Sequence, residues 1–298
     1  MSSGEKYYGG FFWVAMISFI VPVFVAIAAF NSIKTTSKPT PKPDASGVDH
    51  AVWDYLLKTY VANGLVDYEG MKRDYLFREY IRELGRANPD ALQTDAERLA
   101  LACNAYNAFV INGVITHRIS DTVIPDPDKL GFFDLKEHIF AGKTISLNEL
   151  EHEMIRPTFK EPRIHVALVC AARSCPSIRA EAYTGDQIDQ QLQDQSVQFA
   201  NNPTHVEFKS DQGELHLSSI LDWYGEDWDA NYPNGGYLQW IAELAEDPAI
   251  RDACQKAIEN KVKVKFKEYD WALNSQSDPK SAGGRSGGGF GSGSLPDQ

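Results

Sequence analysis

The segment RIHVALVCAARSCPSIR, residues 163–179, puts His165, Cys170 and Cys175 close together in a chain of 298 residues with only four cysteines. Thiols and an imidazole at this spacing suit a thiolate nucleophile with a base brought from elsewhere, a dithiol that cycles, or a bridge that only holds a loop. Cys175 precedes Pro176 in a turn, where access and the N–H groups of the next segment would favour a thiolate. Zinc is a poor match, since four residues separate the cysteines and the histidines are scattered; no metal and no cofactor are expected. A Cys170–Cys175 disulfide is possible across the loop and is expected if the domain faces an oxidising compartment.

The elements that must position these groups follow from periodicity. RIHVALVC reads as a buried strand between Pro162 and the Ser174–Pro176 turn, which would put His165 and Cys170 on opposite faces and leave His152 or another distant histidine as base. His152 lies in SLNELEHEMIR, a helix opened by a Ser146–Glu149 capping box, with Glu149, His152 and Arg156 on one stripe. Thr94 with Glu97 opens a helix through ERLALACNAYNAFVINGVI that is apolar nearly all round and therefore buried. Its Asn104 and Asn107 must find partners in the core, either bracing adjacent loops or orienting a catalytic group.

Before it, HAVWDYLLKTYVANG reads as a helix ending at Gly64. HIFAGKTISL reads as a hairpin around Ala141, Gly142 and Lys143. THVEFKSDQGELHLS reads as another, with His205 and His216 as cross-strand neighbours. SSILDWYGEDW starts a helix, and KVKVKFKEYDWALN reads as a strand with one wet face. The fold class is α+β: a helical N-terminal half packed on an antiparallel sheet of hairpins, preceded by one transmembrane helix.

That helix is FFWVAMISFIVPVFVAIAAF, residues 11–30, uncharged over about the length that spans a bilayer. It divides the chain into a short tail (1–10), the anchor (11–30), a Pro/Lys/Ser/Thr linker (31–47), a globular domain (48–274) and a Gly/Ser-rich tail (275–298) expected to be disordered. A formal net charge of −12 argues against nucleic acid as a partner. The membrane is the expected partner, with an unidentified small molecule or peptide as ligand.

WDYLLKTYVANGLVDY, NAYNAF, ISLNELEH with IR, PRIHVALVCAARSCPSIR, ILDWYGEDW and YDWALN, in that order, resemble the DUF547 family over nearly all of residues 50–274. The resemblance implies a compact α+β domain of unknown activity, found behind signal or anchor segments in bacteria and joined to glutaredoxin and DEP-type domains in eukaryotes. It therefore implies an exported, extracytoplasmic or periplasmic domain and suggests thiol chemistry. The family positions are Asn104, Tyr106, Asn107, Glu151, His152, Arg163, His165, Cys170, Cys175, Pro176, Tyr269, Asp270, Trp271 and Asn274, and no catalytic role comes with them. Cys103 departs from the pattern, standing where Ile is expected.

The foremost expectation is a membrane-anchored thiol-dependent hydrolase or acyltransferase of papain-like logic. Cys175 or Cys170 would be nucleophile, His152 or His165 base, and Asn104 or Asn107 the orienting amide. Arg163, Glu151, Tyr106 and Asp270 are the binding candidates. The alternatives are a non-catalytic binding or scaffold domain with a structural Cys170–Cys175 disulfide, and a dithiol redox partner.

Overall fold

The computed structural model describes residues 38–40, 42–124 and 131–277. The span expected at 11–30 lies outside them, as do linker residues 31–37 and 41 and most of the C-terminal tail.

Short acidic or hydroxyl side chains start the N-terminal helices. Asp49 accepts from Ala51 N–H at the start of α1 (His50–Tyr60), Asp67 from Gly70 N–H at α2 (Tyr68–Arg73), and Asp74 from Leu76 N–H at α3 (Tyr75–Arg86). The Thr94–Glu97 capping box starts α4 (Asp95–Thr116), as the sequence predicts. This helix is long and apolar enough to cross a membrane, yet 83% of its most apolar window is buried inside the protein. α1 ends at Tyr60, not Gly64. Asn63 and Gly64 both take positive φ and turn a small hairpin, β1 (Val61–Ala62) on β2 (Leu65–Val66). An Asn-Gly pair suits such a tight turn, and that outweighs the helical spacing before it.

The predicted hairpin at 138–145 is present as β3 (His138–Phe140) on β4 (Lys143–Ile145). A wide π turn follows over Glu149–Ile155, in which Arg156 N–H reaches back five residues to Glu151 O, and α5 (Arg156–Phe159) continues it. RIHVALVC is not a strand. Pro162–Val166 is a 3-10 turn, with Glu161 accepting from Arg163 N–H, and an irregular stretch runs on to the cysteines. Among the described residues no strand pairs with this backbone; side chains satisfy it instead. Asn107 binds both Ala167 O and Val169 N–H, and Gln195 binds Val166 O.

The C-terminal half packs α6 (Ile188–Ala200), α7 (Ile220–Trp223), a 3-10 turn (Gly225–Trp228), α8 (Gly236–Leu244) and α9 (Pro248–Ile258) with a three-stranded sheet. Its order is β5 (Val206–Lys209), β6 (Glu214–Leu217), β7 (Lys263–Phe266). β5–β6 is the predicted hairpin, but β7 runs parallel to β6, so this sheet is mixed. His216 faces Glu207 in the register, and His205 O instead accepts from Ser218 N–H; the two histidines are not cross-strand neighbours. Helices with three small sheets among the described residues fit the α+β class.

The described residues form two apolar cores. One gathers α1 to α4 with Trp53 stacked on Tyr80; the other gathers the mixed sheet with Trp228, Trp240, Ile241 and Cys254. The 162–166 turn lies at their seam, with Ile164 in the first core and Val166 in the second.

Candidate functional site

His165, between those two residues, is 4% exposed. Its ring stacks on Tyr224 at 4.3 Å, and its Nε2 donates to Asp227 Oδ2 at 2.7 Å. Arg156 holds both Asp227 oxygens, through Nε and Nη2 at 2.9 Å each, and its Nη1 donates to His152 Nδ1 at 3.1 Å. A guanidinium cannot accept, so the His152 Nδ1 lone pair is occupied and the imidazole proton sits on Nε2. Partial burial pushes the Asp227 carboxyl up, but hydrogen bonds from His165 and Arg156 outweigh it and hold the group well below the usual range. Burial lowers the His152 pKa, and Arg156 adds to the effect.

The π turn brings Glu151 and His152 to the same cluster. Glu151 lies near Tyr106, Tyr224 and Tyr269; burial first, then the carboxylate, pushes Tyr106 well above its ordinary value. Glu149, expected to flank His152, turns away to Lys136 and the Ser146 cap.

Tyr269 leads from this cluster to the cysteines. Cys170 and Cys175 are joined, with Cα atoms 6.2 Å apart. The Tyr269 hydroxyl lies 3.2 Å from Cys170 Sγ and 3.1 Å from Cys175 Sγ, and Cys170 N–H points at Cys175 Sγ at 3.0 Å. The loop they close is stitched to the C-terminal segment: Arg173 N–H to Ala272 O, Ser174 N–H to Asp270 O, and Asn274 N–H to Ala171 O, with Asp270 N–H returning to Ser174 Oγ. Tyr68 anchors the same segment through Asn274 Oδ1.

The structure thus joins His152 and His165 through Arg156 and Asp227, and Cys170 and Cys175 to Tyr269, with Glu151 and Tyr106 nearby. Asn107 braces the 167–169 backbone, while Asn104 braces Tyr183 through both its N–H and its C=O. Arg163 forms ion pairs with Glu161 and Asp189 instead, and Asp270 uses its carboxylate on Ala272 N–H. The free cysteines, Cys103 and Cys254, are both buried; burial pushes Cys103 far up and Cys254 to about 12. Among the described residues no group of three or more His, Cys, Asp or Glu is placed to hold a metal. Sequence reasoning missed Tyr224 and Asp227, which no local signal in WYGED singles out.

Residues 89–200 match the family model DUF547, a protein of unknown function. The DUF547 resemblance stands. The matched DUF547 segment runs from just before α4 to the end of α6 and holds both bracing amides, Tyr106, Glu151, His152, His165 and the cysteine pair. Asp227, Tyr224 and Tyr269 come from beyond it. No curated protein and no solved structure matches the chain.

Proposed function

We propose that the domain is a thiol–disulfide exchange module, tethered to a membrane by residues 11–30 and facing an oxidising compartment. The observation that carries this reading is the Tyr269 hydroxyl, whose single proton is within hydrogen-bond reach of both sulfurs of the Cys170–Cys175 pair. Burial raises its pKa, so it keeps its proton and stands ready to donate to the thiolate that appears when the bridge opens. A staple alone would contribute only about 2 kcal/mol here, at the low end for disulfides. The bridge spans a sequence separation of only five, its loop is already ordered by backbone hydrogen bonds, and the domain has two substantial cores.

Papain-like hydrolysis or acyl transfer finds less support. The hydrogen-bond partners of the sulfurs are a phenol and a peptide N–H. His152 has its Nδ1 occupied, neither His152 nor His165 is hydrogen-bonded to a sulfur, and the two amides are spent on backbone.

The test is differential alkylation of the folded chain before and after a mild dithiol. Exchange predicts that Cys170 and Cys175 become alkylatable together and rejoin on removal of the dithiol, while Cys103 and Cys254 stay protected. A pair that opens only in denaturant would refute it. That result would favour the scaffold reading, which the stitching of loop 170–175 to residues 270–274 supports; Cys→Ser changes would then lower stability and nothing else.

A further inference from the structure

The two sulfurs are not equivalent. Cys170 is half-buried and reachable, whereas Cys175 is 6% exposed. Cys175 Sγ has two donors aimed at it, Cys170 N–H and the Tyr269 hydroxyl; Cys170 Sγ has the Tyr269 hydroxyl alone. Exchange is fastest when the accessible sulfur is attacked and the departing thiolate is the better stabilised one. The Tyr269 ring, in turn, belongs to an aromatic group: Trp223 lies 4.8 Å and Trp271 4.5 Å from it, the two indoles are nearly parallel, and all three are half-buried. The residues beside them in sequence, Asp222, Glu268 and Asp270, are exposed carboxylates.

Resting on the exchange reading, we infer that Cys170 is the entry sulfur and Cys175 the leaving thiolate, and that the substrate is a polypeptide cysteine in apolar, uncharged or cationic surroundings. The substrate thiolate attacks Cys170 Sγ, the S–S bond breaks, and its electron pair leaves on Cys175 Sγ, which then takes a proton from water. A second substrate thiolate attacks the substrate-side sulfur of the mixed disulfide and expels Cys170 as thiolate. The substrate dithiol loses two electrons and becomes a disulfide; the Cys170–Cys175 pair gains them. The rim selects because flat rings accept apolar and peptide groups, and because its carboxylates repel an anionic thiol.

The experiment pulses the oxidised full chain with cysteamine, a cationic thiol, or with 2-mercaptoethanesulfonate, an anionic one. The reaction is quenched in acid and the mixed disulfide mapped by mass spectrometry, with rates compared per thiolate. The adduct is expected on Cys170 over Cys175 by roughly tenfold or more. Cysteamine is expected to react several-fold faster at low salt, with the gap closing at high salt. Asp222→Asn with Glu268→Gln should narrow that gap without moving the adduct, and Tyr269→Phe should slow opening by about tenfold. An adduct on Cys175, an even split, or equal rates for the two thiols would overturn the inference. Failure of the exchange reading looks different: neither thiol opens the bridge in the folded chain, while both open it in urea.

Discussion

Reducing Cys170–Cys175 should cost the folded domain about 2 kcal/mol. Chain-entropy loss for a closed loop follows −2.1 − 1.5R ln n cal/mol/K, and a loop of about six residues gives about 2 kcal/mol at 25 °C. The sequence separation of five sets that length. The loop does not depend on the bridge for its order. Arg173 N–H to Ala272 O at 2.8 Å, Ser174 N–H to Asp270 O at 3.1 Å and Asn274 N–H to Ala171 O at 2.9 Å involve neither sulfur and should remain on reduction. Each thousand calories moves the melting temperature of a domain this size by roughly 2–4 °C, so the fall should be about 4–8 °C. Urea denaturation of oxidised and reduced protein measures it, with the midpoint falling and the slope unchanged. A loss above about 4 kcal/mol, or a reduced slope showing that residues 269–275 have come away, would contradict the loop argument and make the bridge a staple.

Asn107→Ala should destabilise the domain by about 2–4 kcal/mol, because it strands the buried Ala167 C=O and Val169 N–H; a loss under about 1 kcal/mol in urea denaturation would show that the amide is not the brace described. Burial pushes His138 and His205 down to about 4 from an ordinary 6.5, so the folded state binds fewer protons than the unfolded chain between those values. The contribution of these two histidines to stability should therefore fall as pH drops from about 6.5 to about 4 and then level. His205→Phe, which keeps the stack on Phe199, should flatten part of that slope in a pH series of melts. The folded Asp227 carboxyl has a depressed pKa, so its contribution is present above the unfolded value of 3.8 and lost only as pH falls further. Asp227→Asn should cost about 1–2 kcal/mol at neutral pH, and much less in strong acid, as read by chemical denaturation at each pH.

Several elements were legible because one local signal dominated. The Thr94–Glu97 box and an apolar run without a polar face marked α4 as a buried helix. Turn residues at positive φ, Ala141 with Gly142, marked β3–β4. The thiols stood out by rarity. The 162–170 stretch was misread because an apolar run says only that it is buried; what frees it from a sheet is Asn107 and Gln195, 60 and 29 residues away from their acceptors. Asp227 was hidden for a similar reason. Nothing in GEDWD says which carboxylate turns inward, yet the Glu226 side chain is 82% exposed and that of Asp227 25%, and the choice is made by Arg156 and His165 on other elements. The link between the disulfide and the His165 cluster also depends on Tyr269, which follows Cys175 by 94 residues.

The measurement that bears most directly on the exchange reading is the reduction potential of Cys170–Cys175 in the folded chain, equilibrated against dithiol buffers and read by alkylation. The account predicts a value between about −270 and −120 mV, the range of known exchange proteins. A value below about −300 mV, where structural disulfides lie, would contradict it.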